Sequence, residues 1–129
     1  MMFRTRLITI DIDWIEKPLH QRLIVALRLR WICSNPNIEC KITRTYKGYH
    51  VRIILKNPVE YSGTFPVRAL LGDDEERLFY ETVKYAMGIY HECNTLFSAK
   101  YIGRRLEYIE EKTSIEEVVR NALRLPIPL

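Results

Sequence analysis

The 129-residue sequence has no long hydrophobic run, three cysteines and five glycines, and each shortage removes a class of protein. The longest uncharged apolar stretch lies around Leu23 to Leu27. That is far short of the roughly 20 residues that span a bilayer, so no membrane partner is expected. The opening MMFRTRLITI places Arg4 and Arg6 before an apolar stretch, but Asp11 interrupts it before a secretory h-region is complete. Cys33, Cys40 and Cys93 are too few for the disulfide framework of a small secreted domain. A soluble protein in a reducing, cytoplasmic interior is the expectation, the host cytoplasm if the protein is viral.

The glycines are scattered singly and no GxxxxGK[ST] occurs, which excludes a P-loop ATPase. No repeat, low-complexity tract or Gly/Ser linker is present. His91 and Cys93, with Cys33 and Cys40, include no C-x2-C pair and have gaps that fit no familiar zinc site. The run GDDEER lacks the alternating ligands of an EF-hand loop, and one potential base with scattered serines does not make a hydrolase triad.

What is present suffices for one domain over residues 1–129. Apolar residues make up 47% and charged residues 28%, enough for a core and unlike a disordered chain. Twenty Lys and Arg against 16 Asp and Glu give +4, a mild basic bias that suits a polyanion partner without requiring one.

In LITIDIDW, residues 7–14 alternate, so a strand there puts Ile8, Ile10, Ile12 and Trp14 on one face and Leu7, Thr9, Asp11 and Asp13 on the other. Pro18 suits a first helical turn, and Leu19, Leu23, Leu27 and Trp31 recur at helical spacing, predicting a helix over 18–32 that Ser34, Asn35, Pro36 and Asn37 end. IECKITRTYKGYHVRIIL reads as two strands joined around Tyr46, Lys47 and Gly48. Ile38, Cys40, Ile42, Tyr49, Val51, Ile53 and Leu55 form their apolar sides, with His50, Arg52, Ile54 and Lys56 opposite. Residues 58–66 read as a loop, PVRALLG as a short helix ended by Gly72, and TLFSAKYI at 95–102 as a strand. Residues 77–83 read as a strand by alternation, followed by helix or irregular chain, while Phe79, Val83 and Ala86 also have helical spacing. Ser114 followed three residues later by Glu117 is a capping box that opens a helix over about 114–124, which Pro126 stops. The fold expected from this order is α+β: a ferredoxin-like split βαβ unit with an antiparallel sheet, helices on one face and the other face open.

Asp11 and Asp13 stand at i and i+2 on that open face. Two carboxylates on one side of a strand are a natural pair for a hard divalent cation, since Mg²⁺ takes one or two carboxylates plus phosphates and waters. A solvated strand face would show the same DxD spacing. His50 shares the face with Arg52, whose planar fork suits phosphate; a surface histidine in a hairpin is the plainer reading. Arg44, Lys47, Arg52, Lys56 and Arg68 would favour phosphate backbones without reading sequence.

ITIDID followed by YKGYHVRI resembles the first two motifs of the archaeo-eukaryotic primase catalytic palm, an RRM-like domain: hhhDhD, then a small residue and a histidine opening a strand. GYHVRI, VRALLGDDEER and TLFSAKY also resemble segments of small proteins, largely of unassigned role, from viruses and plasmids of thermophilic archaea. The resemblance covers about residues 7–102. It implies that Asp11 and Asp13 bind Mg²⁺ or Mn²⁺ and that His50 contacts the phosphates of an incoming nucleoside triphosphate. Glu81 in LFYETVK is the nearest match to the third metal-binding carboxylate, if 77–83 is a strand. The chain is much shorter than replicative primases and lacks their zinc-binding module. A nucleotidyltransferase, a descendant that kept the fold and lost the reaction, and a non-enzymatic single-strand nucleic-acid-binding protein all fit. A virion or assembly protein docking through LRLPIPL, or a homo-oligomer, is also compatible.

Overall fold

The computed structural model describes residues 3–96, 99–102, 105–108 and 110–124, with 99–102 and 105–108 as backbone. The chain runs β1 (Arg4–Asp13), α1 (Leu19–Cys33), β2 (Ile38–Arg44), β3 (Gly48–Glu60), α2 (Thr64–Leu70), α3 (Glu75–Ala86), β4 (Ala99–Ile102), β5 (Arg105–Tyr108), β6 (Glu111–Thr113) and α4 (Ile115–Leu123). It is α+β, built on a four-stranded antiparallel sheet of order β1-β3-β2-β6, with β4 and β5 forming a separate two-stranded sheet.

Strand alternation decides which face takes the core. Ile8, Ile10 and Ile12 of β1 lie with Ile42 of β2 and with Tyr49, Val51 and Ile53 of β3. Against them α1 sets Val25, Ala26 and Leu29, and α4 sets Val118 and Ala122. Each large side chain removed from water here contributes about 1.5–3 kcal/mol. The hydroxyl of Tyr49 accepts a 2.8 Å hydrogen bond from Asn121 Nδ2, which pins α4 to β3. Ser114 caps α4 as the capping box predicts, its Oγ accepting from the Glu117 amide. The apolar residues of α1 are spread around the helix rather than gathered on one side. It buries Val25, Ala26 and Leu29 and leaves Leu27 and Trp31 exposed, so the stripe of Leu19, Leu23, Leu27 and Trp31 is not the one that faces the sheet.

Two segments differ from the sequence expectation. Residues 58–66 are not an open loop: β3 continues to Glu60, a 3-10 turn covers Tyr61–Gly63, and α2 begins at Thr64. Residues 77–83 are helix, not strand. The reason is local: Asp74 caps α3 by accepting from the Arg77 amide, and Glu75 and Glu76 fill the first turn, where carboxylates favour the helix dipole. The expected strand at 95–102 is seen as β4 at Ala99–Ile102; residues 97–98 lie outside those described, as does most of the LRLPIPL tail (residues 125–129).

The outer edge of β1 is also covered. Asp74 N–H donates to the Asp11 carbonyl at 2.7 Å, and Asp11 N–H donates to Asp73 Oδ1 at 2.8 Å. Residues 73–74 thus satisfy β1 at the level of the candidate aspartates. Among the described residues no helix is long and apolar enough to cross a membrane.

Candidate phosphate and metal face

Register places the predicted side chains. Asp11 pairs with His50, His50 with Thr43, and Thr43 with Lys112; the next row is Thr9, Arg52 and Lys41. These side chains occupy the face opposite α1 and α4. Asp11 and His50 meet across two strands, with Nε2 3.4 Å from Asp11 Oδ1. The Asp11 side chain is 39% exposed, so its carboxylate remains available to solvent.

The face is not open over the imidazole. His50 is only 4% exposed because Glu110, just before β6, reaches its Nδ1. The same carboxylate accepts from Arg52 Nη2 at 2.9 Å, so Glu110 fixes His50 and Arg52 together. Toward the other end Thr9 is buried under Arg77 and Asn94. Nothing in EYIEEKTS marked Glu110: its neighbour Glu111 has the same chemistry, and the following strand is three residues long.

Burial would lower the His50 pKa, but hydrogen bonds and charge from Asp11 and Glu110 outweigh it and hold the imidazolium above its ordinary 6.5. Burial likewise pushes Glu110 upward, yet Arg52 and His50 bring it below its ordinary 4.5. The raised histidine adds stability that is fully present below about pH 6.5 and lost as pH rises through its folded pKa; the depressed glutamate adds stability present above about pH 4.5 and lost as pH falls. Their joint contribution therefore peaks between those values. An NMR titration should give His50 a midpoint above 6.5 that drops in Glu110→Gln; an unchanged midpoint in that variant contradicts the pairing.

Asp13 also lies on this side but lines a neighbouring cleft of about 530 Å³ with Glu16, Lys17, Lys47, Asp73 and Asp74. Its Oδ1 is buried with no hydrogen-bond partner among the described residues. Arg68 and Glu81 are elsewhere. Arg68 is fully buried, with Nε 2.7 Å from Asp73 and Nη2 3.0 Å from Glu81, so it is not exposed to a phosphate. Glu81 lies on α3, where Arg68, Arg77, the Tyr61 hydroxyl and the Asn94 amide occupy its carboxylate. Hence Asp11, His50 and Arg52 come together, Asp13 stands beside them, and Arg68 and Glu81 belong to a structural network.

Among the described residues no group of three or more His, Cys, Asp and Glu is placed to hold a metal ion. Mg²⁺ or Mn²⁺ takes one or two carboxylates and completes its shell with phosphate oxygens and water. Asp11 offers an exposed carboxylate, and Asp13, in the neighbouring cleft, an oxygen without a hydrogen-bond partner among the described residues. Comparison with protein-family models, curated proteins and solved structures finds no match.

Proposed function

We propose that the chain is a nucleic-acid-related protein whose mixed sheet face binds nucleotide phosphate together with a divalent cation, on a ferredoxin-like, primase-palm-like scaffold. The observation that carries the reading is the cross-strand meeting of Asp11 and His50 on the face away from α1 and α4. The scaffold reading draws support from β3 lying between β1 and β2, the arrangement a βαβ crossover through α1 produces; β6 adds at the far edge of β2. Asp11 and Asp13 hold the cation, and the partly exposed Arg52 faces the phosphates, while His50, covered by Glu110, holds the Asp11 carboxylate in place. The role is binding rather than nucleotidyl transfer, because Glu81, the residue matched to a third metal-binding carboxylate, is engaged by two guanidinium groups.

Calorimetric titration of a nucleoside triphosphate with Mn²⁺ present should release heat that falls at least tenfold in apparent affinity in Asp11→Ala, with Mn²⁺ alone binding weakly. No heat, or equal heat in the variant, removes the reading. A second reading, cation-independent binding of single strands, is favoured by Lys41, Arg52 and Lys112 sharing this face. It predicts affinity that falls with salt and with Arg52→Ala but survives Asp11→Ala; affinity that does not change with salt contradicts it.

A further inference from the structure

Helices of a water-soluble domain ordinarily turn their apolar side inward, whereas α3 turns its large apolar residues outward. It buries Glu81, which Arg68 and Arg77 hold, and exposes Phe79, Tyr80, Val83 and Met87. Phe79 is 64% exposed and Met87, at the helix end, 68%. Residues 79, 83 and 87 are four apart, so they line one stripe. A second stripe lies on α1, where Ile24, Leu27 and Trp31 recur at helical spacing and Trp31 is 79% exposed. Single exposed apolar residues need no explanation, but a continuous stripe of them marks an interaction surface.

We propose that the α3 stripe of one copy of this chain seats on the α1 stripe of a second copy, with the two helices antiparallel. The stripes match in length: residues 79–87 rise about 12 Å and residues 24–31 about 10.5 Å. Laid antiparallel, they set Phe79 against the second copy's Trp31, Val83 against its Leu27 and Met87 against its Ile24. Steps of four and four on one helix thus meet steps of four and three on the other.

Charge selects the same arrangement. No acidic residue occurs in α1, and Arg28 and Arg30 lie exposed on either side of its stripe. The first turn of α3 carries Glu75 and Glu76, both exposed. The antiparallel register brings that acidic turn to the end of α1 that carries Arg30, and sets Tyr80 beside Arg30, where a cation meets an aromatic ring. Arg28 gives one N–H to the Leu70 carbonyl at 2.9 Å and keeps its charge. Lys84, the cation in the last turn of α3, lies 3.8 Å from Glu92. Pairing α3 with a second α3 would leave the α1 stripe and its arginines bare. Because the two faces differ, the contact is heterologous, and each added copy offers another α1 and α3 until a ring closes.

Sedimentation velocity of the full chain from about 5 to 500 μM, a range suited to a small interface, should show a mean mass that rises above the monomer with concentration. Two variants that change only exposed residues separate the faces: Phe79→Gln with Val83→Gln on α3, and Leu27→Gln with Trp31→Gln on α1. Each alone should weaken association at least tenfold while melting as a folded protein by circular dichroism. Mixed in equal amounts, they should associate again, through the intact α1 of the first and the intact α3 of the second, and stop at a pair. The proposal is overturned if the wild type stays monomeric throughout, as it would if a lipid surface or another protein covered these stripes. It is equally overturned if the α1 variant assembles like the wild type, as α3-to-α3 pairing requires, or if the mixture stays monomeric. Arg30→Glu, which leaves both stripes in place, decides the matter where a double variant fails to fold: association should weaken at least fivefold, and unchanged association overturns the proposal. No nucleotide or metal is present in the assay, so its outcome is independent of the phosphate reading.

Discussion

Arg68→Met is expected to cost about 3–5 kcal/mol of folding stability, because it removes one member of a buried ionic network and leaves the rest uncompensated. The guanidinium is fully buried, with Asp73 2.7 Å from Nε and Glu81 3.0 Å from Nη2. Arg77 joins the same two carboxylates at 3.0 and 3.2 Å, and the Tyr61 hydroxyl accepts from Arg68 Nη1 at 2.7 Å. Burial raises Asp73 despite Arg77 and Arg68, whereas Glu81, with Tyr61 and the Asn94 amide added to both arginines, falls below the ordinary carboxylate range. Without Arg68, Arg77 alone faces two buried acids. Urea denaturation of Arg68→Met, and of Arg68→Met with Glu81→Gln, is the check: the double variant should recover part of the loss, since it neutralises one of the stranded charges. A single-variant loss below about 1 kcal/mol contradicts the network's role.

Gly48→Ala should be nearly as damaging, at about 3 kcal/mol, for a steric reason. Gly48 opposes Asp13 where β3 begins, and a β-carbon built there would lie 1.9 Å from the Ile12 carbonyl oxygen and 2.7 Å from the Trp14 nitrogen. Both neighbours are backbone, so no side chain can turn away. The strands would have to part next to the Asp11–His50 pair. The variant should therefore lose metal-dependent nucleotide binding as well as stability, measured by denaturation and calorimetry on the folded fraction. A stable variant that binds normally would show that the close approach of β1 and β3 is unnecessary.

Much of this architecture is legible in the sequence because period-two alternation is unambiguous in β1, β2 and β3. Ile8, Ile10 and Ile12 against Thr9, Asp11 and Asp13 fix the two faces, and the register then sets Asp11 beside His50. The Ser114–Glu117 cap is likewise local chemistry. The apolar residues of 77–83 satisfy both periods, and its helical state rests on the Asp74 cap and the Arg77–Glu81 pair at i,i+4, with Arg68 joining Glu81 from thirteen residues earlier. Arg68 looked like a surface cation because its compensating partners lie five and thirteen residues away. The helix α1 hid its buried stripe because its apolar residues are spread around the helix, with Arg22, Arg28 and Arg30 among them. Glu110 was invisible for a related reason: its partner His50 lies 60 residues earlier.

The most direct measurement is paramagnetic broadening by Mn²⁺ in the presence of a non-hydrolysable nucleoside triphosphate. The His50 ring signals and the Asp11 amide should broaden first and should be spared in Asp11→Ala. A His50 ring untouched by the complex, or equal broadening in wild type and Asp11→Ala, would contradict a shared phosphate and cation site.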